Sequence, residues 1–291
     1  MSDQGRPEAA DAAGDDTARV DTAPDDTARY GPAPWEDGPR RLGRYARIAV
    51  LSDVHGAVTA LEAVLAEPEL RSADLVVLCG DLTWGPEPQR VHELIAGLGG
   101  RAACVRGNAD RYAVEVATGA REPIGPREAW IPARHSPEAL EFLARVPFSL
   151  VAEVDGLGPV RFCHGSPRSD HELVTFGTPE SRFAELASGI EESTLVTGHT
   201  HLQFDRAVAG RRSVNPGSVG LPYHLGEPGT AYWALLGPDV QLRSTRYDPA
   251  QAAARAMESG DPGAERFVAT LLRPPTPQEI LADAEARVFS G

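Results

Sequence analysis

Lysine is absent from this sequence of 291 residues, so all 28 of its cationic side chains are arginines. The absence excludes Schiff-base catalysis by lysine, lysine general bases and the lysine of a phosphate-binding P-loop. Any phosphate or carboxylate that the protein binds must therefore be held by arginine, by a metal ion or by backbone N–H groups.

Cysteine is also scarce. The sequence has only three, Cys79, Cys104 and Cys163, each in an apolar run, and no Cys-x-x-Cys pair occurs. In such surroundings cysteine behaves as a small buried hydrophobe. This usage is typical of a reducing compartment, and we expect the protein to be cytoplasmic.

Two further features are missing: an apolar run long enough to span a membrane, and the charged and then apolar start of a signal peptide. Acidic residues number 42, which gives a formal net charge of −14. Nucleic acids and anionic membranes are negatively charged and bind to positively charged surfaces, which a protein of this net charge does not present overall. We therefore predict no membrane association and disfavour nucleic-acid binding; the sequence does not indicate an oligomeric state.

Much of the negative charge lies in residues 1–43, which are rich in Asp, Ala, Pro, Gly and Thr. The pentapeptide Asp-Asp-Thr-Ala-Arg occurs there twice, at 15–19 and 25–29. A segment with so little apolar surface cannot offset the entropy lost on ordering it. We predict that residues 1–43 form a disordered acidic tail.

Residues 44–249 alternate apolar strands with amphipathic helices, a pattern that predicts a layered α/β domain. Strands are predicted at 47–51, 75–79 and 103–105, and strand-like segments predominate after Pro147. Residues 250–291, which are interrupted by Asp-Pro-Gly and Pro-Pro, predict a C-terminal extension of two or three helices that packs on the domain.

Several predicted strands end in a polar residue beside glycine, at the edge where side chains from neighbouring strands converge. These residues are Asp53, His55, Asp81, Asn108, His164, His199 and His201. Seven oxygen and nitrogen ligands without a thiolate suit two divalent ions of the Mn, Fe, Zn or Ni class. One carboxylate must then bridge the two ions, which lie about 3.5–4 Å apart in such centres.

Each part of this set also has a simpler explanation. Asp53 and Asp81 could cap the helices that follow them. His199 and His201 stand at alternate positions after an apolar run and could equally be solvated or hydrogen-bonded histidines. Helix capping does not explain why His55 and Asn108 occupy the matching edge.

In chain order the motifs are Asp-x-His, Gly-Asp, Gly-Asn-x-Asp, His-Gly and Gly-His-x-His, and this series resembles the calcineurin-like metallophosphoesterase superfamily. The likeness is strongest to small bacterial members, which also carry His-Gly-Ser-Pro-Arg, here at 164–168, and Asn-Pro-Gly-Ser-Val-Gly, here at 215–220. The resemblance covers residues 46–248 and implies a four-layer α/β/β/α sandwich of two mixed sheets.

The resemblance also implies a role for each ligand. Asp53, His55 and His201 would hold the first metal, Asn108, His164 and His199 the second, and Asp81 would bridge the two. A metal-bridging hydroxide would attack phosphorus directly. The expected cofactors are two divalent ions, manganese first, with iron, zinc or nickel as alternatives.

Asp81 and Asn108 are also candidate catalytic residues, together with Asp110 and Arg168. Asp110 could orient a ligand histidine or simply cap a helix. Arg168 and Arg111 flank the motifs and could clamp a phosphate oxygen or pair with carboxylates.

Two positions depart from the family pattern. Many members have a leaving-group histidine where this chain has Ala109, and asparagine where it has Ala57. General acid catalysis by such a histidine is worth about 10²–10⁴ in rate. We therefore expect a preference for activated leaving groups, such as aryl phosphates, phosphoanhydrides or nucleotides, unless His171 or His224 replaces the missing group.

The function expected is a dimetal-dependent phosphoesterase acting on a small phosphorylated molecule, either a monoester or a diester. Trp84 and Tyr223 could stack on a nucleobase or simply pack in their loops. The alternative is a non-catalytic metal-binding scaffold on the same fold, although a scaffold is free to lose ligands and this chain keeps all seven. A nuclease is disfavoured by the net charge and by the lack of a basic cluster.

Overall fold

The computed structural model describes residues 38–282, so the predicted tail up to residue 37 lies outside the described residues, as do residues 283–291. The strands are β1 Arg40–Tyr45, β2 Ile48–Leu51, β3 Leu75–Cys79, β4 Ala102–Val105, β5 Ser149–Val154, β6 Gly158–Cys163, β7 Thr194–Val196, β8 Phe204–Val208, β9 Arg211–Asn215, β10 Thr230–Leu236 and β11 Val240–Arg246. They form a six-stranded sheet in the order β1-β5-β6-β7-β9-β8 and a five-stranded sheet in the order β11-β10-β2-β3-β4. Both sheets contain parallel and antiparallel pairs, so both are mixed.

Helices cover the outer faces of the two sheets. They are α1 Val58–Ala66, α2 Pro68–Arg71, α3 Pro88–Ala96, α4 Asn108–Thr118, α5 Pro126–Trp130, α6 Pro137–Arg145, α7 Glu180–Leu186, α8 Pro249–Glu258 and α9 Ala264–Leu272. Short 3₁₀ turns at Gly99–Arg101 and Pro132–Arg134 precede β4 and follow α5. Proline occupies the first turn of α2, α3, α5, α6 and α8, where its missing N–H group costs no hydrogen bond.

The alternation of side chains along the central strands separates the layers. Ile48 and Val50 of β2 point between the sheets, where they share a core with Phe162 of β6. The intervening Ala49 and Leu51 belong to a second core beneath the helices on the other face. This arrangement confirms the predicted four-layer sandwich of two mixed sheets.

The first strand begins at Arg40, four residues before the predicted start of the domain at residue 44. It pairs in parallel with β5, with Arg40 opposite Leu150 and Tyr45 opposite Val154. Most of its side chains are exposed, and the strand is held by backbone hydrogen bonds at the sheet edge and by packing of Leu42 and Tyr45 against the inter-sheet core. A polar edge strand of this kind lacks the apolar pattern by which strands are predicted.

The C-terminal helices α8 and α9 pack against the same face as α1. Ala252 and Ala256 of α8, and Phe267 and Leu271 of α9, are buried in the core that contains Leu61. Within the described residues, no helix combines the length and apolar character needed to cross a membrane.

The layered core predicts a large difference between two phenylalanines. Phe162 is fully buried between the sheets, whereas Phe176 is 39% exposed. Phe162→Ala leaves a cavity, so we expect the free energy of unfolding to fall by about 3–5 kcal/mol. Phe176→Ala should lose less than half of that. Urea unfolding of the metal-free protein, followed by circular dichroism, measures both; equal losses would contradict the proposed position of the core.

Candidate metal centre

The predicted ligands all follow strands at one edge of the sandwich. Strands β2, β3 and β4 are parallel, as are β6 and β7, so their carboxyl ends meet at this edge. Asp53 and His55 follow β2, Asp81 follows β3, Asn108 begins α4, His164 follows β6, and His199 and His201 follow β7. The structure therefore brings all seven predicted ligands together.

Five of the seven ligands have their backbone in the left-handed region. The φ angle is 53° at Asp53, 49° at His55, 52° at Asp81, 66° at His199 and 56° at His201. Residues other than glycine adopt this region rarely, at a cost of about 1–3 kcal/mol each. Such strain persists only where surrounding contacts enforce it, and it concentrates at functional sites.

The first cluster consists of Asp53, His55 and His201. Nε2 of His201 lies 3.2 Å from Oδ1 of Asp53 and 3.0 Å from Nε2 of His55. Nε2 of His55 lies 3.9 Å from the same carboxylate oxygen. Metal–ligand bonds of about 2.0–2.2 Å place donor atoms roughly this far apart, so the three side chains fit one divalent ion.

The second cluster consists of Asp81, His164 and His199, with Asn108 beside them. Nε2 of His164 lies 3.1 Å from Oδ1 of Asn108, 3.1 Å from Nδ1 of His199 and 3.4 Å from Oδ1 of Asp81. This spacing again suits one divalent ion.

The carboxylate of Asp81 faces both clusters. Its Oδ2 lies 3.7 Å from Nε2 of His55, while its Oδ1 lies 3.4 Å from Nε2 of His164. The backbone N–H of Ala109 donates to Oδ1 at 3.0 Å and fixes the orientation of the group. A carboxylate placed between the two clusters in this way can bridge two ions.

Backbone carbonyls hold three of the four histidine rings. In each case Nδ1 faces the carbonyl oxygen, so Nδ1 carries a hydrogen and Nε2 is the ring nitrogen that faces the cluster, where it can bind a metal ion once it is unprotonated. The pairs are His55 and Trp84 at 3.3 Å, His164 and Cys79 at 2.8 Å, and His201 and Leu221 at 2.7 Å. The rings are thus prepared for metal binding by atoms of the main chain.

The ionisation of the buried ligands also fits a cation site. Burial raises the pKa of Asp81, but His164 outweighs it and holds that pKa well below its usual range. Burial lowers the pKa of His164, yet Asp81 raises it to about 10. Burial and the charge of His164 lower the pKa of His199 to about 3. A proton on His164 thus supplies positive charge where a divalent ion would supply it instead.

Three polar side chains support the ligand loops. Ser52 Oγ donates to Oδ2 of Asp53 at 2.5 Å, and Ser218 Oγ donates to the carbonyl of Asp53 at 2.7 Å. Asn215 Nδ2 donates to the carbonyl of Gly198 at 2.8 Å. Ser52 carries no sequence signal, whereas Asn215 and Ser218 belong to the Asn-Pro-Gly-Ser-Val-Gly motif, which marks them without indicating this role.

Asp110, predicted as a catalytic residue, is fully buried and bonded to the backbone. Its Oδ2 accepts the N–H of Gly107 at 2.9 Å, and its Oδ1 accepts the N–H of Leu82 at 2.9 Å. The first bond caps α4, and the second ties the loop after β3 to the first turn of α4. The structure thus favours the helix-cap alternative over the orientation of a histidine.

Arg168, also predicted as a catalytic residue, is engaged elsewhere. Its Nε donates to both carboxylate oxygens of Glu172 at 2.9 Å, and its Nη2 donates to Glu185 at 3.1 Å. The salt-bridge alternative therefore holds for Arg168, because two carboxylates from its own loop and from α7 lie within reach of the guanidinium.

Arg111 has a similar structural partner. Its guanidinium donates to both oxygens of Asp170, at 2.9 and 3.1 Å, and its Nη2 lies 2.6 Å from Nε2 of His171. The His171 ring lies edge-on to His199 at 6.5 Å and close to the hydroxyl of Tyr112. His171 is thus at the border of the second cluster.

The remaining candidates lie around the first cluster. The ring of Tyr223 stacks on His201, with 4.8 Å between centroids and 21° between planes. Trp84 packs against the helix-side core, and only its carbonyl contacts a ligand. His224 packs against Tyr232. Of these, Tyr223 is the aromatic side chain in direct contact with a predicted ligand.

A family model for the calcineurin-like phosphoesterase superfamily domain matches residues 47–235. The chain is similar to the crystal structure of a metallophosphoesterase from Sphaerobacter thermophilus, with 26% identity and a TM-score of 0.61 over 78% of this chain and 98% of that one. It also resembles in fold a hypothetical protein from Pyrococcus horikoshii, with 21% identity and a TM-score of 0.67 over 80% and 99%. No curated protein matches the chain significantly.

The position of Asp81 between the clusters predicts how metal binding responds to mutation. Loss of a hydrogen-bond partner of a ligand costs about 10–100-fold in metal affinity, and loss of a shared ligand should cost more. We expect Asp81→Ala to weaken Mn²⁺ binding at both clusters, and His201→Ala at one. Calorimetric titration measures stoichiometry and affinity, with the exposed carboxylate variant Asp74→Ala as control. Two unaltered sites in Asp81→Ala would contradict the bridging position.

Proposed function

Because the chain belongs to the calcineurin-like phosphoesterase superfamily, whose members hydrolyse phosphate esters, we propose that it is a dimetal-dependent phosphoesterase acting on a small phosphorylated substrate. The observation that carries this proposal is the single carboxylate of Asp81 facing both ligand clusters. A centre for two adjacent ions suits in-line displacement at phosphorus. The substrate proposed is a phosphomonoester or phosphodiester, including nucleotides.

Two divalent ions held in this centre would supply a hydroxide nucleophile at neutral pH and neutralise the phosphate oxygens. The residues of the chain contribute fixed geometry. Main-chain carbonyls hold three histidine rings in place, and the N–H of Ala109 holds Asp81. Little rearrangement of the protein is then needed when the substrate binds.

Phosphate recognition is assigned to the metal centre. The two arginines that flank the motifs, Arg111 and Arg168, are both engaged with carboxylates. Recognition by the centre itself requires one accessible phosphate group and no basic groove. This requirement agrees with a small substrate and with the net charge of −14.

We propose manganese as the native ion, with iron, zinc or nickel as alternatives, because the donors are oxygen and nitrogen atoms. The three cysteines are free and buried. Burial raises the pKa of Cys163 to about 12, so its thiol stays protonated and unreactive. Free thiols of this kind support the cytoplasmic location that we propose.

The test is hydrolysis of para-nitrophenyl phosphate and bis-para-nitrophenyl phosphate by metal-stripped protein, with Mn²⁺, Ni²⁺ or Zn²⁺ added back. We expect metal to restore activity and Asp81→Ala to reduce it to background, because that variant removes the shared ligand. Asp74→Ala serves as the control and should keep full activity. The ratio of the two rates gives the ester class.

An enzyme and a scaffold give different results in this assay. Wild-type protein that binds two ions and hydrolyses neither ester with any metal would favour the non-catalytic scaffold. Equal activity in wild type and Asp81→Ala would instead assign the hydrolysis to a contaminant.

Ala109 predicts a strong dependence on the leaving group. The methyl group of Ala109 cannot donate a proton to the leaving group. Rates across a series of aryl phosphates should therefore fall steeply as the pKa of the leaving phenol rises. Ala109→His should flatten the slope, since a positioned general acid contributes about 10²–10⁴ for poor leaving groups. Ala57→Asn, the other departure from the family pattern, is the matched control and should keep the steep slope. A flat dependence in the wild type would show that another group assists departure.

A further inference from the structure

The helices α8 and α9, together residues 249–272, form a C-terminal hairpin that covers the segment directly after His55. A narrow cavity separates the hairpin from this segment. One wall consists of residues 56–60 with Pro86 and Glu87, and the other consists of Tyr247, Ala252, Ala256, Phe267 and Leu271. The hairpin therefore lies behind the first cluster and outside its ligand set.

The loop at residues 82–87 connects this hairpin to His55. The carbonyl of Trp84 accepts the Nδ1 hydrogen of His55, and the carbonyl of Leu82 accepts the N–H of Gly56 at 3.3 Å. The contact is so close that a Cβ atom on Gly85 would lie 1.7 Å from the carbonyl oxygen of His55. A displacement of the loop must therefore displace His55.

Among the ion pairs that the described residues make, Arg255 with Glu87 and Arg127 with Asp261 each join the hairpin to the domain. Arg255 donates from Nε and Nη2 to the two carboxylate oxygens of Glu87, at 3.0 and 2.5 Å, and Glu87 is the last residue of the loop. Arg127 of α5 donates in the same bidentate manner to Asp261, at 2.9 and 2.8 Å. The two arginine side chains are similarly exposed, at 35% and 32%. Only the first pair reaches the loop that orients His55.

We propose that the C-terminal hairpin positions the first metal cluster, and that Arg255 and Glu87 are the positioning residues. A bidentate arginine–carboxylate pair fixes orientation as well as distance. Here the pair fixes Glu87, the last residue of the loop at 82–87. The carbonyl of Trp84 in the same loop orients the ring of His55. The inference rests on the proposed function only in requiring that the cluster binds a divalent ion.

The experiment is calorimetric titration of the full chain with Mn²⁺, without substrate. A His164→Ala background isolates the first cluster, and a His201→Ala background isolates the second. We expect Arg255→Gln and Glu87→Gln each to weaken the first cluster by about tenfold, the lower end of the effect of losing a hydrogen-bond partner of a ligand. The second cluster should keep its affinity.

Arg127→Gln is the matched control, because it removes the other ion pair of the same hairpin. We expect it to lower the melting temperature and to leave Mn²⁺ affinity unchanged. The exchanged pair Glu87→Arg with Arg255→Glu should restore affinity at the first cluster, which a purely local packing effect would not do.

Three results would overturn the inference. Equal losses of melting temperature in Arg255→Gln and Arg127→Gln, with Mn²⁺ affinity unchanged in both, would make the hairpin a stabilising cover only. Equal losses of affinity at both clusters would indicate general loosening of the fold. If wild-type protein binds no Mn²⁺ at all, the proposed function fails as well; two bound ions without any difference among the variants would overturn the positioning role alone.

Discussion

The left-handed backbone at the ends of the central strands is the constraint on which the metal centre depends. Side chains of a regular strand stand roughly perpendicular to the sheet, so a regular strand would not direct its side chains past its own carboxyl end, where the candidate ligands converge. A turn with positive φ at Asp53, His55 and Asp81 changes that direction within one residue. Backbone hydrogen bonds between the loops offset the cost of this strained backbone. The N–H of Asp53 donates to the carbonyl of Gly80, and the N–H of His55 donates to the carbonyl of Asp81, each at 3.0 Å. Pairing of β2 with β3 thus continues past the ends of both strands.

The close approach of these loops explains why glycine recurs in the motifs. A Cβ atom at Gly107 would lie 2.1 Å from Oδ1 of Asp81, and one at Gly198 would lie 2.0 Å from Oγ of Ser52. No other residue type fits at either place without moving a ligand or its support. The glycines therefore allow the loops to pack closely against each other, which brings the candidate ligands beside them together.

The fold and the convergence of the seven candidate ligands could be predicted, because both follow from patterns in side chains: apolar strands, amphipathic helices and polar residues at strand ends. The carbonyls that orient the rings could not, because the main-chain atoms of Trp84 and Leu221 carry no sequence signal. The partners of Arg168 depend on the path of its own loop toward Glu172, which residue type does not reveal. The edge strand at Arg40 has only Leu42 and Tyr45 packed against the inter-sheet core, too few for an apolar strand pattern, so its first four residues fell within the predicted tail.

The type of cation opposite four buried carboxylates separates the candidate metal centre from the structural ion pairs. Arginine, which stays protonated in proteins, faces Asp170 and Asp261. Histidine faces Asp53 and Asp81, even though arginine is the chain's only other cation and is plentiful. Histidine can exchange its proton for a metal ion, which arginine cannot do. His171 also lies 3.5 Å from Asp170, but arginine makes the bidentate bonds to that carboxylate, whereas, among the cationic side chains of the described residues, only histidines face Asp53 and Asp81. Histidine without arginine at these two carboxylates agrees with the candidate metal centre, where a divalent ion would replace the protons.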